Sequence, residues 1–266
     1  MKAKSFAASF SFDKYTRQAR LKPSLLVLLP VLVTVAVWFP KVWTLLGGLA
    51  ALISACGLTF LLAELARYQG RQVEKMMIAA NGGKFTTIFL RHRDLTISSS
   101  TKKVYHALLK KKAKRGLPSA AEELADPISA DDLYRGAIDW LLEATRNEKR
   151  FPLVRMENIS YGFRRNLLGL KYPALLLLGL CLVINVGLCL QAVHIDETRL
   201  WAGCTVSLAI AGAIIVWIFV IRLPFVEDAG RAYALRLLAQ CDVLQGIPTS
   251  VSGQTRCEPT IKPAHS

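Results

Sequence analysis

The chain has 266 residues, of which 53% are hydrophobic, and it carries 34 Lys and Arg against 19 Asp and Glu. This composition excludes a disordered tail protein, which would be poor in apolar residues. Long stretches without any charged residue exclude a fully soluble enzyme. The sequence also has no regular internal repeat, which argues against a solenoid.

Four stretches of 18 to 22 residues without charged residues or histidine predict transmembrane helices. They cover residues 23–40, 42–63, 172–193 and 200–221. A helix of 22 residues is roughly 33 Å long, which matches the roughly 30 Å hydrocarbon core of a bilayer. We therefore expect an all-α membrane protein with two transmembrane helical hairpins, and a helical cytoplasmic domain of residues 64–171 inserted between spans 2 and 3.

The distribution of Lys and Arg predicts the orientation of these spans. Residues 1–22 carry six of them and residues 64–171 carry twenty-one, whereas the outer connectors carry only Lys41 and Arg199. Basic residues stay on the cytoplasmic side of short loops, so both termini, including the tail 222–266, are expected in the cytoplasm. The first apolar stretch lacks a small-x-small cleavage site, which disfavours a signal peptide.

The second span is expected to continue beyond the membrane as one long helix. Apolar and small residues keep a helical spacing after Glu64 as far as Ala80, and Asn81-Gly82-Gly83 then provides a stop. A helix from residue 42 or 43 to Ala80 would be about 57 Å long. Its second half would therefore stand in the cytoplasm.

Small residues recur at four-residue spacing on two spans, which permits close helix contact. They are Gly47, Ala51 and Ala55 on the second span and Gly203, Ser207 and Ala211 on the fourth. Two interpretations remain open: these faces hold one protomer together, or they form a homo-oligomer. Asn185, near the centre of the third span, is expected to form an interhelical hydrogen bond, with pore lining as the alternative.

Within the central segment, two further helices are predicted over residues 101–112 and 131–145, with Ser98 to Ser100 and Ser129 as their caps. The basic run 110–115 has three interpretations: a solvated helix end, a contact with anionic lipid, or a nucleic-acid site. Nucleic acid is the least favoured, because few aromatic residues accompany the run.

The sequence contains no complete catalytic motif. His92-Arg93-Asp94 matches part of a kinase catalytic loop, but Ser99 replaces the Asn that would hold magnesium. No Cys-x-x-Cys pair and no histidine cluster with zinc-ligand spacing occurs. We therefore expect no enzyme activity, no cofactor and no metal.

Residues 153–170 are predicted to couple the cytoplasmic domain to the membrane. Leu153, Met156, Phe163 and Leu167 belong to an apolar stripe that either packs on the extension of the second span or lies flat in the membrane interface. Polar residues are dense here, and the candidate membrane-coupling or ligand residues are Glu157, Asn158, Tyr161, Phe163, Arg164, Arg165 and Asn166. In this hypothesis Phe163 and Leu167 dock on the second helix, and the two arginines contact lipid phosphates.

Three stretches between about residues 80 and 172 resemble an uncharacterised bacterial family of four-span membrane proteins. They are Arg91-His92-Arg93-Asp94, Ala125-Asp126-Pro127 and the stretch from Arg150 to Lys171, which includes Arg150-Phe151-Pro152-Leu153 and Asn158-Ile159-Ser160-Tyr161-Gly162-Phe163-Arg164-Arg165. The resemblance implies a location in the bacterial inner membrane and brings no activity with it.

These observations favour a multi-pass inner-membrane protein whose non-catalytic cytoplasmic domain binds a protein partner or responds to a signal. Its other expected partner is the bilayer itself, through anionic head groups. The alternative is a pore-forming or membrane-perturbing effector gated by that domain. A membrane-bound enzyme acting on a lipid or nucleotide is the second alternative.

Overall fold

The computed structural model describes residues 14–114, 116–193 and 195–246, and within these ranges every regular element is a helix. Residues 1–13 and 247–266, which the charge distribution assigns to the cytoplasm, lie outside the described residues. The eleven helices used below are α1 (Lys22–Trp38), α2 (Leu45–Asn81), α3 (Phe85–Ile88), α4 (Ser99–Ala113), α5 (Ala120–Ala125), α6 (Pro127–Ala144), α7 (Pro152–Gly169), α8 (Lys171–Ala192), α9 (Glu197–Phe219), α10 (Leu223–Leu238) and α11 (Gln240–Gln245).

Four helices are long and apolar enough to cross a membrane, which confirms the prediction of an all-α protein with four candidate spans. They are α1, α2, α8 and α9. The first of them begins earlier than predicted, because the helical turns Lys14–Thr16 and Arg17–Leu21 run into α1. A short 3-10 helix, Pro40–Trp43, joins α1 to α2.

The predicted long second helix is confirmed as one element of 37 residues, about 55 Å long. It begins at Leu45, later than expected, because the side chain of Thr44 accepts a hydrogen bond from the Gly47 N–H and caps the first turn. It ends where Gly82 adopts a left-handed conformation with φ of 67°. Below, residues 45–62 are called its apolar half and residues 63–81 its polar half.

Helix α7 packs antiparallel on the polar half of α2, which decides between the two arrangements expected for residues 153–170. Gly70 lies against Gly169, and further along Glu74 pairs with Arg165. A Cβ atom at Gly169 would lie 2.7 Å from the Gly70 nitrogen, so the two backbones approach closely only because this residue is glycine.

Two clusters of buried apolar residues organise the molecule. The domain core joins the end of α2 to α3, α4, α6, α7, α10 and α11, and its largest side chains include Phe89, Leu90, Leu109, Tyr134, Leu141 and Leu237. The span core joins α1, α2, the end of α7, α8 and α9, and it includes Val27, Leu167, Leu170, Leu178, Ile210 and Trp217. Helix α7 contributes to both cores.

The two helices predicted in the central segment are α4 and α6. Ser98 caps α4 as expected, because its hydroxyl accepts a hydrogen bond from the Thr101 N–H. Helix α6 begins four residues earlier than predicted, since Asp126 rather than Ser129 is its cap. Lys110 to Lys112 occupy the last turn of α4, and Arg115 of the basic run lies outside the described residues.

Candidate functional site

The candidate site is a cavity of about 240 Å³ where α2, α3, α6, α7 and α10 meet, here called the joint cavity. Of the seven candidate residues on α7, it brings together Asn158, Tyr161 and Arg165. Glu157 is half-buried and does not line this cavity. The joint cavity thus lies beside the segment that the sequence predicted as the coupling element.

The joint cavity has an apolar floor and a charged rim. Buried side chains of Met77, Phe85 and Ile138 form the floor. The charged groups that line it are Glu74, Lys84, Arg135, Asp139 and Arg165. This combination suits a small amphipathic molecule, because an apolar body would rest on the floor while its polar groups reach the rim.

Arg165 carries the strongest interactions of the joint cavity. Its Nη1 donates to Glu74 Oε2 at 2.6 Å, and the guanidinium lies 5.6 Å from the centre of the Tyr161 ring. Among the described residues, no acceptor satisfies its buried Nε–H. An unsatisfied buried donor costs about 1–3 kcal/mol, so water or a ligand that accepts this hydrogen would be stabilised in the cavity.

Two tyrosines form one wall. The rings of Tyr161 and Tyr233 are nearly parallel, with centres 6.3 Å apart and 3° between their planes. Burial, reinforced by the Glu74 carboxylate, raises the pKa of Tyr161, and burial raises the pKa of Tyr233 to about 12. Both hydroxyls therefore keep their protons at neutral pH and remain hydrogen-bond donors.

Arg164 fixes α7 to α10. Its Nη1 donates to the Phe225 carbonyl at 3.1 Å, and its guanidinium lies 4.4 Å from the centre of the Phe225 ring. Arg164 and Arg165 thus both contact protein groups, whereas the sequence predicted that they contact lipid phosphates. The difference arises because α2 and α10 offer a carboxylate and an aromatic face on the two sides of α7.

Asn166 ties together three segments of the chain. It is 1% exposed, its Nδ2 donates to the Ala19 carbonyl at 2.6 Å, and its side chain fills the space beside Gly70. Phe163 is only half-buried, and it packs against the span core next to Leu167. These contacts join α7 to α2 and to the N-terminal helical turns.

The predicted apolar stripe on α7 is correct only in its second half. Leu153 and Met156 are 50% and 58% exposed, while Val154 and Tyr161 are buried in their place. The reason is that the first half of α7 packs against the domain core and the second half against the span core, which lie on different faces of the helix.

The expected interhelical hydrogen bond of Asn185 is confirmed. Its Oδ1 accepts from Trp38 Nε1 at 2.5 Å, and its Nδ2 donates to the Gly203 carbonyl and the Ser207 hydroxyl, each at 2.7 Å. This side chain therefore joins α1, α8 and α9. Every polar atom of the amide is used within the protomer, so it serves helix packing.

The two small-residue faces behave differently. On α9, Gly203 is buried against Cys189 and Trp38, and the half-buried Ser207 and Ala211 follow it. On α2, Ala51 and Ala55 are only half-buried. Gly47 is needed for another reason, since a Cβ atom there would overlap the Lys41 carbonyl of the preceding turn. Gly203 thus packs within the protomer, whereas no residue of the α2 face is buried, and Ala51 and Ala55 are half-buried like Ser207 and Ala211.

Sequence reasoning missed a buried polar network around His92-Arg93-Asp94. Glu123, only 4% exposed, accepts hydrogen bonds from the His92 N–H and the Tyr134 hydroxyl, each at 2.7 Å. Burial opposes its ionisation, but these hydrogen bonds outweigh burial and hold its pKa below the usual range. Buried Lys102 donates to the Arg91 and Asp94 carbonyls. The segment that suggested a kinase loop is therefore held by structural contacts.

No protein-family model, curated protein or solved structure matches this chain. Among the described residues, no group of three or more metal-ligating side chains is close enough to hold a metal ion.

Proposed function

We propose that this chain is a multi-pass protein of a bacterial inner membrane. In this proposal, α1 with α2 and α8 with α9 form two hairpins, and both termini and the intervening helical domain face the cytoplasm. The proposed role is non-catalytic: the domain binds a protein partner or responds to a signal and transmits that state to the spans. Anionic head groups are the proposed lipid partner, and a homo-oligomer would form through the α2 face that carries Gly47, Ala51 and Ala55.

The observation that supports this role most strongly is the position of α7 in both cores. Val154 and Tyr161 belong to the domain core, and Leu167 and Leu170 belong to the span core. Helix α7 runs for 18 residues without a break through Val154, Tyr161 and Leu167, and Leu170 directly follows its last residue. A displacement of the domain at one end of α7 would therefore move the spans at its other end.

The joint cavity supplies a place where a signal could act. It is lined by α7 residues that hold α7 on its neighbours, above all Arg165 and Tyr161. A molecule that bound there would compete with or reinforce the pair between Arg165 and Glu74. Binding would consequently change the contact between α2 and α7.

Thermal unfolding of the full chain in detergent, with small-molecule fractions of bacterial cytosol added, tests this proposal. A fraction should raise the melting temperature of the parent protein but not of Leu142→Trp, which places a large side chain at the cavity wall. Leu153→Trp is the matched control, because Leu153 is exposed on α7 and does not line the cavity. Two results would contradict a signal-binding site in the joint cavity. One is that an active fraction stabilises all three proteins equally, and the other is that no fraction stabilises the parent.

Reporter fusions test the orientation separately. A reporter after Lys41 or Thr198 should be external, and one after Lys112 should be cytoplasmic. A cytoplasmic reporter after Thr198 would exclude the proposed topology. Raised membrane conductance on overexpression would instead favour the pore-forming alternative gated by the cytoplasmic domain.

A further inference from the structure

A second cavity lies where three segments of the chain reach the same end of the spans. This interfacial groove has a volume of about 390 Å³ and is bounded by the polar half of α2, by the junction of α7 with α8, and by the junction of α9 with α10. Gln69, Gln72 and Met76 form its α2 side, and Lys171, Tyr172 and Arg222 line the rest of its rim. It shares no lining residue with the joint cavity.

The polar groups of the interfacial groove favour an anion. Its lining contains two cationic side chains and two amides, and no carboxylate of the described residues is among them. Lys171 is held in place, because its Nζ donates to the Ile218 carbonyl at 3.1 Å and to the Ile221 carbonyl at 2.9 Å. Arg222 is exposed, and no described carboxylate forms an ion pair with it.

The apolar groups next to the groove favour an occupant with hydrocarbon chains. Tyr172 is 83% exposed, and one turn further along α8 Leu176 is 74% exposed. Phe219, the last residue of α9, is 66% exposed. These side chains continue from the groove onto the outer surface of the spans, where a bilayer supplies acyl chains.

We propose that the interfacial groove binds an anionic phospholipid of the surrounding bilayer, an inference that rests on the proposed membrane location. The phosphate accepts hydrogen bonds from Arg222 and from the remaining N–H of Lys171. Gln69 and Gln72 offer amide donors to the rest of the head group. The acyl chains extend past Tyr172 over the exposed faces of α8 and α9. A soluble phosphate compound shares the head-group chemistry but leaves these apolar faces without a partner.

Native mass spectrometry of the full chain, titrated in detergent with phosphatidylglycerol or phosphatidylcholine, tests this site. The parent should retain phosphatidylglycerol in preference to phosphatidylcholine. Arg222→Gln should weaken phosphatidylglycerol binding about five-fold, since a cationic side chain near an anionic lipid contributes about 1 kcal/mol. Met76→Trp should also weaken it, because the larger side chain fills the groove without a change of charge. Melting temperatures equal to that of the parent would show that both variants fold.

Arg71→Gln is the matched control. Arg71 is exposed at the same level of α2 but does not line the groove, so its replacement removes the same charge without touching the site. Equal losses of phosphatidylglycerol affinity in Arg71→Gln and Arg222→Gln would overturn the proposal in favour of general electrostatic attraction to the protein surface. Equal retention of both lipids would overturn it as well. Displacement of the lipid by equimolar glycerol 3-phosphate would assign the groove to a soluble phosphate compound and overturn the lipid assignment.

Discussion

The apolar half of α2 is less buried than its polar half. In the most apolar 18-residue window of this helix no residue is buried, and Leu45 and Ile53 are 82% and 71% exposed. The polar half carries charged residues, yet Ala66, Val73 and Met77 are buried there. The more hydrophobic half of one continuous helix is therefore the less packed.

This difference follows from the solvent that each half is expected to meet. In a bilayer, a leucine exposed to lipid costs no free energy relative to a buried one, because lipid tails are as apolar as the protein interior. In water, each apolar side chain gains roughly 25 cal/mol per Å² when it is buried. Specific tertiary contacts should consequently hold the polar half, whereas the apolar half should tolerate substitution. Three of the following changes test this contrast, and a fourth tests a half-buried histidine of α4.

The largest effect is expected for Arg165→Met. It leaves Glu74, whose side chain is 27% exposed, without its partner on α7, and the loss of one member of a largely buried pair should cost about 2–3 kcal/mol of unfolding free energy. Arg67→Met is the control on α2, the helix that carries Glu74. The side chains of Arg67 and Glu64 are 44% and 54% exposed, so their ion pair should contribute less than about 0.5 kcal/mol. Denaturant unfolding measures the unfolding free energy of both variants. Equal losses would contradict the view that specific tertiary contacts hold the polar half of α2.

A smaller loss, about 1–2 kcal/mol, is expected for Gly169→Ala. The added methyl group would meet the backbone of α2 at Gly70 and force the helices apart, which outweighs the better helix propensity of alanine. Gly57→Ala in the apolar half has no atom within 4 Å of the added Cβ and should leave stability unchanged or slightly higher. The melting temperatures of the two variants measure both effects. A Gly169→Ala protein as stable as the parent would show that the close approach of α7 to α2 is not needed.

Asn185→Leu should cost about 1 kcal/mol, because it removes the three hydrogen bonds that link α1, α8 and α9. The effect is expected to be modest, since the unfolded chain in a membrane also finds hydrogen-bond partners. Unfolding in mixed micelles measures it. A loss as large as that of Arg165→Met would mean that the spans depend on specific contacts as much as the polar half of α2 does.

The smallest effect concerns pH. Burial lowers the pKa of His106, whose Nε2 lies 2.8 Å from the Leu90 carbonyl. As pH falls below about 6.5, the ordinary pKa of histidine, the unfolded chain takes up this proton before the folded one, so stability should decrease. His106→Gln should flatten the melting temperature between pH 7 and pH 5. Identical profiles for variant and parent would assign the acid sensitivity to another group.

The coupling segment, residues 153–170, could be predicted from the sequence only in part. The position of residues 153–170 as a coupling segment follows from their apolar stripe and their dense polar residues, both of which can be seen in the sequence. The partners of Arg164 and Arg165 do not, because Phe225 and Glu74 are 61 and 91 residues away and no local pattern pairs them. For the same reason the exposed positions of Leu153 and Met156 were predicted wrongly.

The sequence by itself determined the helical class, the four candidate spans and the single long second helix, because uncharged length and residue periodicity are local properties of the chain. It also singled out Asn185, since a lone amide in an apolar helix needs a partner. Tertiary structure alone decided that α7 packs on α2 and belongs to two cores. It also decided that Gly203 of α9 packs within the protomer against Cys189 and Trp38. These outcomes depend on which distant surfaces meet, and hydrophobic burial is non-directional, so composition does not specify them.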